Sequence, residues 1–148
     1  MEGQPQQHRY FTLEEANRLL PQIRQILEQL QSDAAELSAV QRTLQASGRS
    51  LGGPRGPRGN GHVRDGAAAR FYEALERIDA LLTEMRSRLH ELQQIGCEVK
   101  DIRMGLVDFR AMREGRAVYL CWRLGEDEIR YWHELDTGFS GRQPLYDD

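Results

Sequence analysis

The chain has 148 residues, enough for one domain, and with 39% hydrophobic and 29% charged residues it has the composition of a soluble, somewhat polar protein. Its formal net charge of −3 argues against a globally basic nucleic-acid-binding protein, and no apolar run is long enough to span a bilayer. The start "MEGQPQQHRYF" has no signal-peptide pattern and the two cysteines cannot form a disulfide framework, so we expect a single-domain cytoplasmic protein with reduced thiols.

The N-terminal part of the chain predicts a disordered tail followed by a long helix. Residues 1–9 are polar, and Thr12 with Glu15 then forms the S/T-x-x-E capping pattern. Apolar residues follow in alternating steps of three and four, as in a coiled coil. The pattern predicts a helix over residues 12–46, about 50 Å long. Pro21 lies well inside it and should bend it.

A glycine-, proline- and arginine-rich segment and a second helix come next. The segment "SGRSLGGPRGPRGNGHVRDG", residues 47–66, predicts a flexible linker. Contact between its arginines and nucleic-acid phosphates is one possible function. The helix predicted over residues 67–95 has a seam with the same three-four spacing: Phe71, Leu75, Ile78, Leu82, Met85, Leu89 and Leu92. Gly96 can end this helix, and two helices so joined predict an antiparallel hairpin.

After the second helix the hydrophobic period changes to two, which indicates strands. The predicted strands cover residues 97–103, 105–112, 116–124 and 129–135. A two-residue turn at Glu114-Gly115 joins the middle strands and pairs Asp108 with Cys121. We therefore predict an antiparallel sheet over residues 97–135, followed by a tail over 136–148. The fold class is α+β: a long antiparallel two-helix, coiled-coil-like hairpin packed at one end on a small antiparallel β-meander.

The register of the last strand decides which side chains share a face. A two-residue turn centred on Glu126-Asp127 pairs Leu120 with His133 and Cys121 with Trp132. Side chains alternate across a sheet, so this register places His133 on the apolar face that packs on the helices. It places Cys121 and Trp132 on the opposite, charged face. The sequence therefore predicts that the histidine and the cysteine do not meet.

The charged sheet face carries the residues that we predict to bind a ligand or partner. Arg123 and Arg130 should lie opposite each other, and like charges so placed need an acidic neighbour or an external anion. Trp132 adds an aromatic surface of the kind that binds peptides, acidic groups or stacked bases. Cover by the tail or by the first strand is the alternative. The predicted binding set is Asp108, Arg110, Tyr119, Cys121, Arg123, Arg130, Trp132, Glu134 and Arg142.

No complete catalytic or metal-binding motif is present in the sequence. "WHEL" lacks the second histidine of a zincin, and "GFSGR" lacks the second glycine of a nucleophile elbow. There is no C-x-x-C pair and no phosphate-binding loop. We predict no catalytic residue, no cofactor and no metal, with Cys97, Cys121 and Asp108 as a minor alternative metal set. An enzymatic activity is left open, and a non-enzymatic role is favoured.

The chain resembles the bacterial family catalogued as domain of unknown function 2203. The likeness spans Tyr10 to Leu145 and lies in "YFTLEEANRLLP" and in Gly96-Cys97, Lys100-Asp101, Asp108-Phe109, Cys121-Trp122, Trp132-His133-Glu134 and Gly141-Arg142. The resemblance implies a bacterial, cytosolic, single-domain protein and no particular activity. We predict an interaction module that forms a homo-oligomer, a dimer, or binds a protein partner through the hairpin and the charged sheet face. A small-ligand- or metal-binding protein, with an enzymatic activity left open, is the alternative; we expect neither nucleic acid nor a membrane as a partner.

Overall fold

The computed structural model describes residues 8–50 and 65–146. The fold is α+β, as predicted, with two packed helices and a five-stranded antiparallel sheet. The chain divides into two compact units, one made of Met1–Gln29 and Leu89–Asp148 and the other of Leu30–Arg88. The predicted N-terminal tail, up to residue 7, and most of the predicted linker, residues 51–64, lie outside the described residues.

Helix α1 spans Leu13–Ser50 and helix α2 spans Asp65–Ile95. The predicted cap of α1 is confirmed, because Glu15 N donates to Thr12 Oγ1 at 3.1 Å and Thr12 N donates to Glu15 Oε1 at 3.3 Å. The predicted stop of α2 is also confirmed, since Gly96 has φ +101°. Both helices extend into the segment predicted as linker: α1 continues past residue 46, and α2 begins before residue 67.

In the second unit, Leu30–Arg88, α1 and α2 run antiparallel and are joined by ion pairs. Arg77 donates two hydrogen bonds to the Glu36 carboxylate, at 2.5 and 2.7 Å. Farther along α2, Arg88 Nε lies 3.4 Å from Oδ2 of the buried Asp33. These pairs fix which residues of the two helices lie side by side.

The face that α2 turns toward α1 differs from the predicted seam. Leu81, which is not part of the predicted seam, is fully buried, whereas the seam residues Leu75 and Leu82 remain 41% and 37% exposed. Ala67 and Ala74 are buried at the same helical phase as Leu81. Small alanine side chains allow the helices to approach closely, and the heptad pattern cannot distinguish this face from the neighbouring leucine stripe.

The first unit, Met1–Gln29 and Leu89–Asp148, contains one end of each helix and a sheet with strand order β1-β2-β3-β4-β5. The strands are β1 Glu98–Asp101, β2 Leu106–Arg113, β3 Arg116–Arg123, β4 Tyr131–His133 and β5 Gln143–Pro144. The four predicted strands are all present, each shorter than or shifted from its predicted range. The fifth strand lies in the segment predicted as a tail and pairs with β4.

The β2–β3 hairpin has the predicted register. Asp108 lies opposite Cys121, and the turn residues Glu114 and Gly115 both have positive φ, 51° and 81°. This is the backbone geometry that matches the twist of a hairpin. On one face of the hairpin, the Phe109 ring meets Phe11 edge-on at 5.3 Å. Phe11 leads into α1, and on the same face Arg24 of α1 lies 5.8 Å from the ring centre of Trp122, so we call this the helix-facing side.

The register predicted for the last strand is wrong by one residue. Cys121 pairs with Tyr131 rather than Trp132, and His133 pairs with Tyr119 rather than Leu120. A slip of one residue moves every side chain of a strand to the opposite face. Trp132 therefore turns to the helix-facing side, where it is 7% exposed. His133 turns to the face that carries Cys121.

The β3–β4 connection explains the slip, because residues 124–130 form a loop rather than a two-residue turn. Glu126 folds back on the end of β3: its carboxylate accepts a hydrogen bond from Arg123 N at 2.7 Å, and its own N donates to Arg123 O at 3.0 Å. Ile129 is buried, and its N donates to Asn17 Oδ1 on α1 at 2.8 Å. An anchor more than a hundred residues away in sequence is invisible to rules of local turn geometry.

Candidate functional site

Three chemically active side chains meet on the sheet face opposite the helix-facing side. Asp108 of β2, Cys121 of β3 and His133 of β4 place a carboxylate oxygen, the sulfur and a ring nitrogen within 4.8 Å of one another. All three are buried, with exposures of 2%, 0% and 2%. Asp108 lies directly across from Cys121, and His133 lies diagonally across from it. We call these three residues the Asp–Cys–His cluster.

The hydrogen bonds of His133 direct one ring nitrogen into the cluster. Its Nδ1 lies 2.6 Å from the Glu134 carbonyl oxygen, which can only accept, so Nδ1 carries a hydrogen. Its Nε2 lies 3.0 Å from Asp108 Oδ2. In a neutral imidazole this Nε2 is an acceptor, and so is an ionised carboxylate. The contact is therefore attractive only with an added proton or a cation between the two atoms.

Burial opposes the loss of protons from the acidic members of the cluster. Burial raises the pKa of Asp108 above its ordinary value. Burial, reinforced by the neighbouring Asp108 carboxylate, raises the pKa of the Cys121 thiol to about 12. Cys121 is therefore a poor nucleophile as it stands, because the thiolate is the reactive form. One polar atom of the cluster, Asp108 Oδ1, is buried without a hydrogen-bond partner among the described residues.

The cluster borders a cavity of about 360 Å³. Asp108 and His133 form part of its wall, together with Lys100, Leu106, Tyr119, Leu135, Asp136, Thr137, Gly138 and Phe139. The cavity holds one cationic and one additional acidic group, and several of its lining residues come from the chain that follows β4. Cys121 does not line this cavity, so a small molecule or water in it would meet the cluster at Asp108 and His133.

A hydrogen-bonded network flanks the cavity on the side of β1. Arg110 Nη2 donates to Tyr119 Oη at 2.9 Å, and Tyr119 Oη donates to Glu98 Oε1 at 2.9 Å. Lys100 Nζ lies 3.0 Å from the same carboxylate. Burial opposes ionisation of Glu98, but the hydrogen bonds from Lys100 and Tyr119 outweigh it and lower its pKa. The network holds Tyr119 in place, with its ring 5.4 Å from that of His133.

The C-terminal segment covers part of the charged sheet face. Arg142 Nη2 donates to both oxygens of the Glu126 carboxylate, at 2.8 and 3.0 Å, and to the backbone oxygen of Cys121 at 3.3 Å. The Arg142 guanidinium also stacks 4.0 Å from the ring centre of Tyr131. Arg142 thus connects the C-terminal segment to the strand that carries the cluster cysteine and to the loop that sets the β4 register.

Four of the predicted binding residues lie away from the cluster. Trp132 is buried on the helix-facing side, with Arg113 and Arg116 over its ring at 4.7 and 5.8 Å. Glu134 forms an ion pair with Arg116 at 2.6 Å. Arg123 is exposed, and it does not face Arg130 as predicted, because Arg130 precedes β4. Arg130 instead pairs with two acidic residues of its own loop, Asp127 and Glu128.

The sequence interpretation missed His133 as a member of the cluster. The minor alternative metal set named Cys97 in its place, and the structure does not bring Cys97 into the cluster: its sulfur donates to Leu92 O at 3.5 Å. One signal could have identified His133. A register shifted by one residue buries Trp132 and removes the histidine from the apolar face, which is the better arrangement for both side chains.

The fold and the cluster together define a class of α+β protein: a small antiparallel sheet that holds a buried Asp–Cys–His cluster next to a cavity. The chain belongs to the family of uncharacterized conserved proteins DUF2203, whose model matches residues 9–145. No match was found among curated proteins or among solved structures. Among the described residues, neither helix is apolar enough over a sufficient length to cross a membrane. The family description gives no activity, so a proposal for function rests on the site.

Proposed function

We propose that this protein binds a divalent transition metal ion, with Zn²⁺ as the best match, through Asp108, Cys121 and His133. The observation that carries the proposal is the convergence of their ligand atoms within 4.8 Å. Thiolate, imidazole and carboxylate are the three side-chain types that bind Zn²⁺ in proteins. Zinc–ligand bonds of roughly 2.0–2.3 Å in a tetrahedron separate the ligands by roughly 3.5 Å, so a small contraction of the cluster suffices.

The charges of the cluster also favour a divalent cation. Deprotonated Asp108 and Cys121 carry two negative charges, which the cation would neutralise, and buried charges occur in proteins when they are paired or bind metals. The Nε2 lone pair of His133 already points inward, because Nδ1 donates to the Glu134 carbonyl. A backbone carbonyl on the second ring nitrogen is a common support for a metal-binding histidine. The partnerless Asp108 Oδ1 would gain a ligand role or a bound water.

The cavity favours a site with one open coordination position. Structural zinc sites have four protein ligands, whereas catalytic sites have three and leave the fourth position to water or substrate. The cluster supplies three ligands, and the adjacent cavity of about 360 Å³ gives a small molecule access to the fourth position. We therefore propose a metal site that binds a small ligand. A cytoplasmic, reducing location would keep the Cys121 thiol available, and both cysteines of the chain are free.

An interaction role for the charged sheet face has less support. The exposed aromatic platform predicted there depended on Trp132, which is buried on the other side. Arg142 and Arg130 already have acidic partners within the chain. The face therefore offers few unsatisfied charges to a macromolecular partner, and the metal site is the function that the geometry supports best.

Metal analysis of purified protein tests the proposal. Wild-type protein is equilibrated with Zn²⁺ and then freed of excess metal. Elemental analysis by mass spectrometry should then find one Zn²⁺ per chain. Cys121→Ser and His133→Gln should each weaken binding more than about a hundredfold, because loss of a mere supporting partner already costs 10–100-fold. Cys97→Ser is the matched control, since Cys97 is also buried and outside the cluster, and it should bind like wild type.

Spectroscopy with Co²⁺ separates coordination from loose adsorption. Co²⁺ bound to the cluster should give an absorption band from charge transfer between the Cys121 thiolate and the metal. Cys121→Ser should lose this band, and Cys97→Ser should keep it. Circular dichroism shows whether each variant is folded. A wild-type protein that retains no metal, or retention that survives Cys121→Ser in folded protein, would disprove the proposed function.

A further inference from the structure

Helix α2 presents exposed apolar side chains next to the face that packs on α1, within the unit Leu30–Arg88. Leu75 and Leu82, one heptad apart, are 41% and 37% exposed, and Tyr72 on the same side is 64% exposed. The buried Ala74 and Leu81 lie on the adjacent face, about 100° around the helix from Leu75 and Leu82. A helix that packs on one neighbour needs a single apolar stripe. A second stripe of leucines at a spacing of seven is typical of a helix with a second helical neighbour. We call Tyr72, Leu75 and Leu82 the α2 stripe.

Two opposite charges lie beside Leu75 and Leu82, between these leucines and Tyr72 around the helix axis. Asp79 comes three residues before Leu82 and Arg86 comes four residues after it, and both are exposed. At 100° per residue, the two side chains lie about 20° apart around the helix axis. They are on the flank away from α1, because the buried Leu81 lies on the opposite flank of Leu82. The surface thus has an apolar centre and one charge of each sign along a single edge.

We infer that the α2 stripe binds a second copy of this chain, with the two α2 helices antiparallel and crossing near Leu82. A two-fold axis between antiparallel helices brings the same flank of each helix together, so Asp79 of each copy meets Arg86 of the other. The interface then contains two complementary ion pairs around an apolar centre. In a parallel pair, this flank would instead face Ile78 and Met85, which are partly covered by α1.

The self-complementary charge pattern selects a second copy over an unrelated partner. A two-fold interface requires that one surface patch complement itself, and opposite charges placed on either side of a central leucine satisfy that requirement. Dimerisation would also enlarge the small apolar core of the unit Leu30–Arg88. Among the side chains that the structure describes in its two helices, only Leu30, Ala67, Ala74 and Leu81 are buried apolar ones. Pairing two such units would produce a four-helix arrangement with an additional apolar layer.

Sedimentation velocity of the full chain over a concentration series tests the inference. Wild-type protein should show a concentration-dependent dimer. Leu82→Glu should be monomeric, because it places two buried charges at the centre of the interface. Met112→Glu is the matched control: Met112 is a large exposed apolar residue on the sheet, and this variant should dimerise like wild type. Cys121→Ser should also dimerise, which separates this test from that of the metal site.

Charge exchange tests the antiparallel arrangement. Asp79→Arg and Arg86→Asp should each raise the dimer dissociation constant about tenfold, because one substitution converts two attractive pairs into two repulsive ones. The double variant should restore dimerisation, since the pairs are re-formed with reversed signs. A wild-type protein that stays monomeric, a dimer that persists in folded Leu82→Glu, or a double variant no tighter than the single variants would overturn the inference.

Discussion

The contact between His133 and Asp108 should appear as a coupling energy in a double-mutant cycle. His133→Ala deletes a side chain that is 2% exposed and should cost about 3–5 kcal/mol, as for other large buried rings. Asp108→Ala should cost about 1–3 kcal/mol, because it leaves the buried Nε2 without a partner. The double variant leaves neither partner unsatisfied, so it should be about 1–3 kcal/mol less destabilised than the sum of the single variants.

Urea denaturation of the metal-free protein, followed by tryptophan fluorescence and with a chelator present, measures all four free energies of unfolding. The control is a second cycle that combines His133→Ala with Leu27→Ala, because Leu27 is a buried residue of α1 and not a member of the cluster. That pair should be additive within about 0.5 kcal/mol. Additivity of the His133 and Asp108 variants would mean that the two side chains do not interact, as in the register predicted from sequence.

Three further predictions concern the environment of the cluster. In the native protein, Cys97 and Cys121 should react slowly with a disulfide reagent at about pH 8. Burial raises the pKa of both thiols to about 12, so only about one thiol in ten thousand is ionised at that pH. The labelling rate should rise toward pH 12, and rapid labelling of the native protein at about pH 8 would contradict this prediction. Gly105→Ala should lower the free energy of unfolding by about 2 kcal/mol or more. Gly105 has φ +69°, and an added methyl group would overlap the side chain of Leu124, the residue that follows β3. Gly125→Ala, with φ +109° and open space, should cost about 1 kcal/mol, and equal losses in urea titrations would argue against the overlap. Asn17→Ala should cost about 1–3 kcal/mol and speed hydrogen exchange of the loop amide that it binds; unchanged exchange would show that Asn17 does not anchor the loop.

The features that the sequence predicted well depend on neighbours in the chain. The capping pair Thr12 and Glu15 starts α1 through contacts three residues apart. The Glu114-Gly115 turn fixes the β2–β3 register because two residues with positive φ define the hairpin. The change of hydrophobic period after Gly96 separates helices from strands. Such signals are contained in a few adjacent residues, so the sequence alone reveals them.

The features that were not predicted from the sequence depend on contacts between residues far apart in the chain. The β4 register follows from a loop held by Asn17, which α1 brings to the sheet. The packed face of α2 follows from a choice between two neighbouring stripes, one with Leu81 and one with Leu82, that differ by a rotation of one residue. Either error moves side chains to another face without changing the elements themselves. The fold class was therefore predicted, but the proximity of His133 to Cys121 was not.

Anomalous diffraction from crystals grown with Zn²⁺ would show whether the Asp–Cys–His cluster holds the metal. Data collected on both sides of the zinc absorption edge locate the metal independently of any assumption about its ligands. A zinc ion held by the cluster should give one strong peak per chain, bounded by Asp108, Cys121 Sγ and His133 Nε2, with a sulfur–zinc distance of about 2.3 Å. A zinc peak elsewhere in the chain, or none at the cluster at saturating metal, would contradict the proposed metal site.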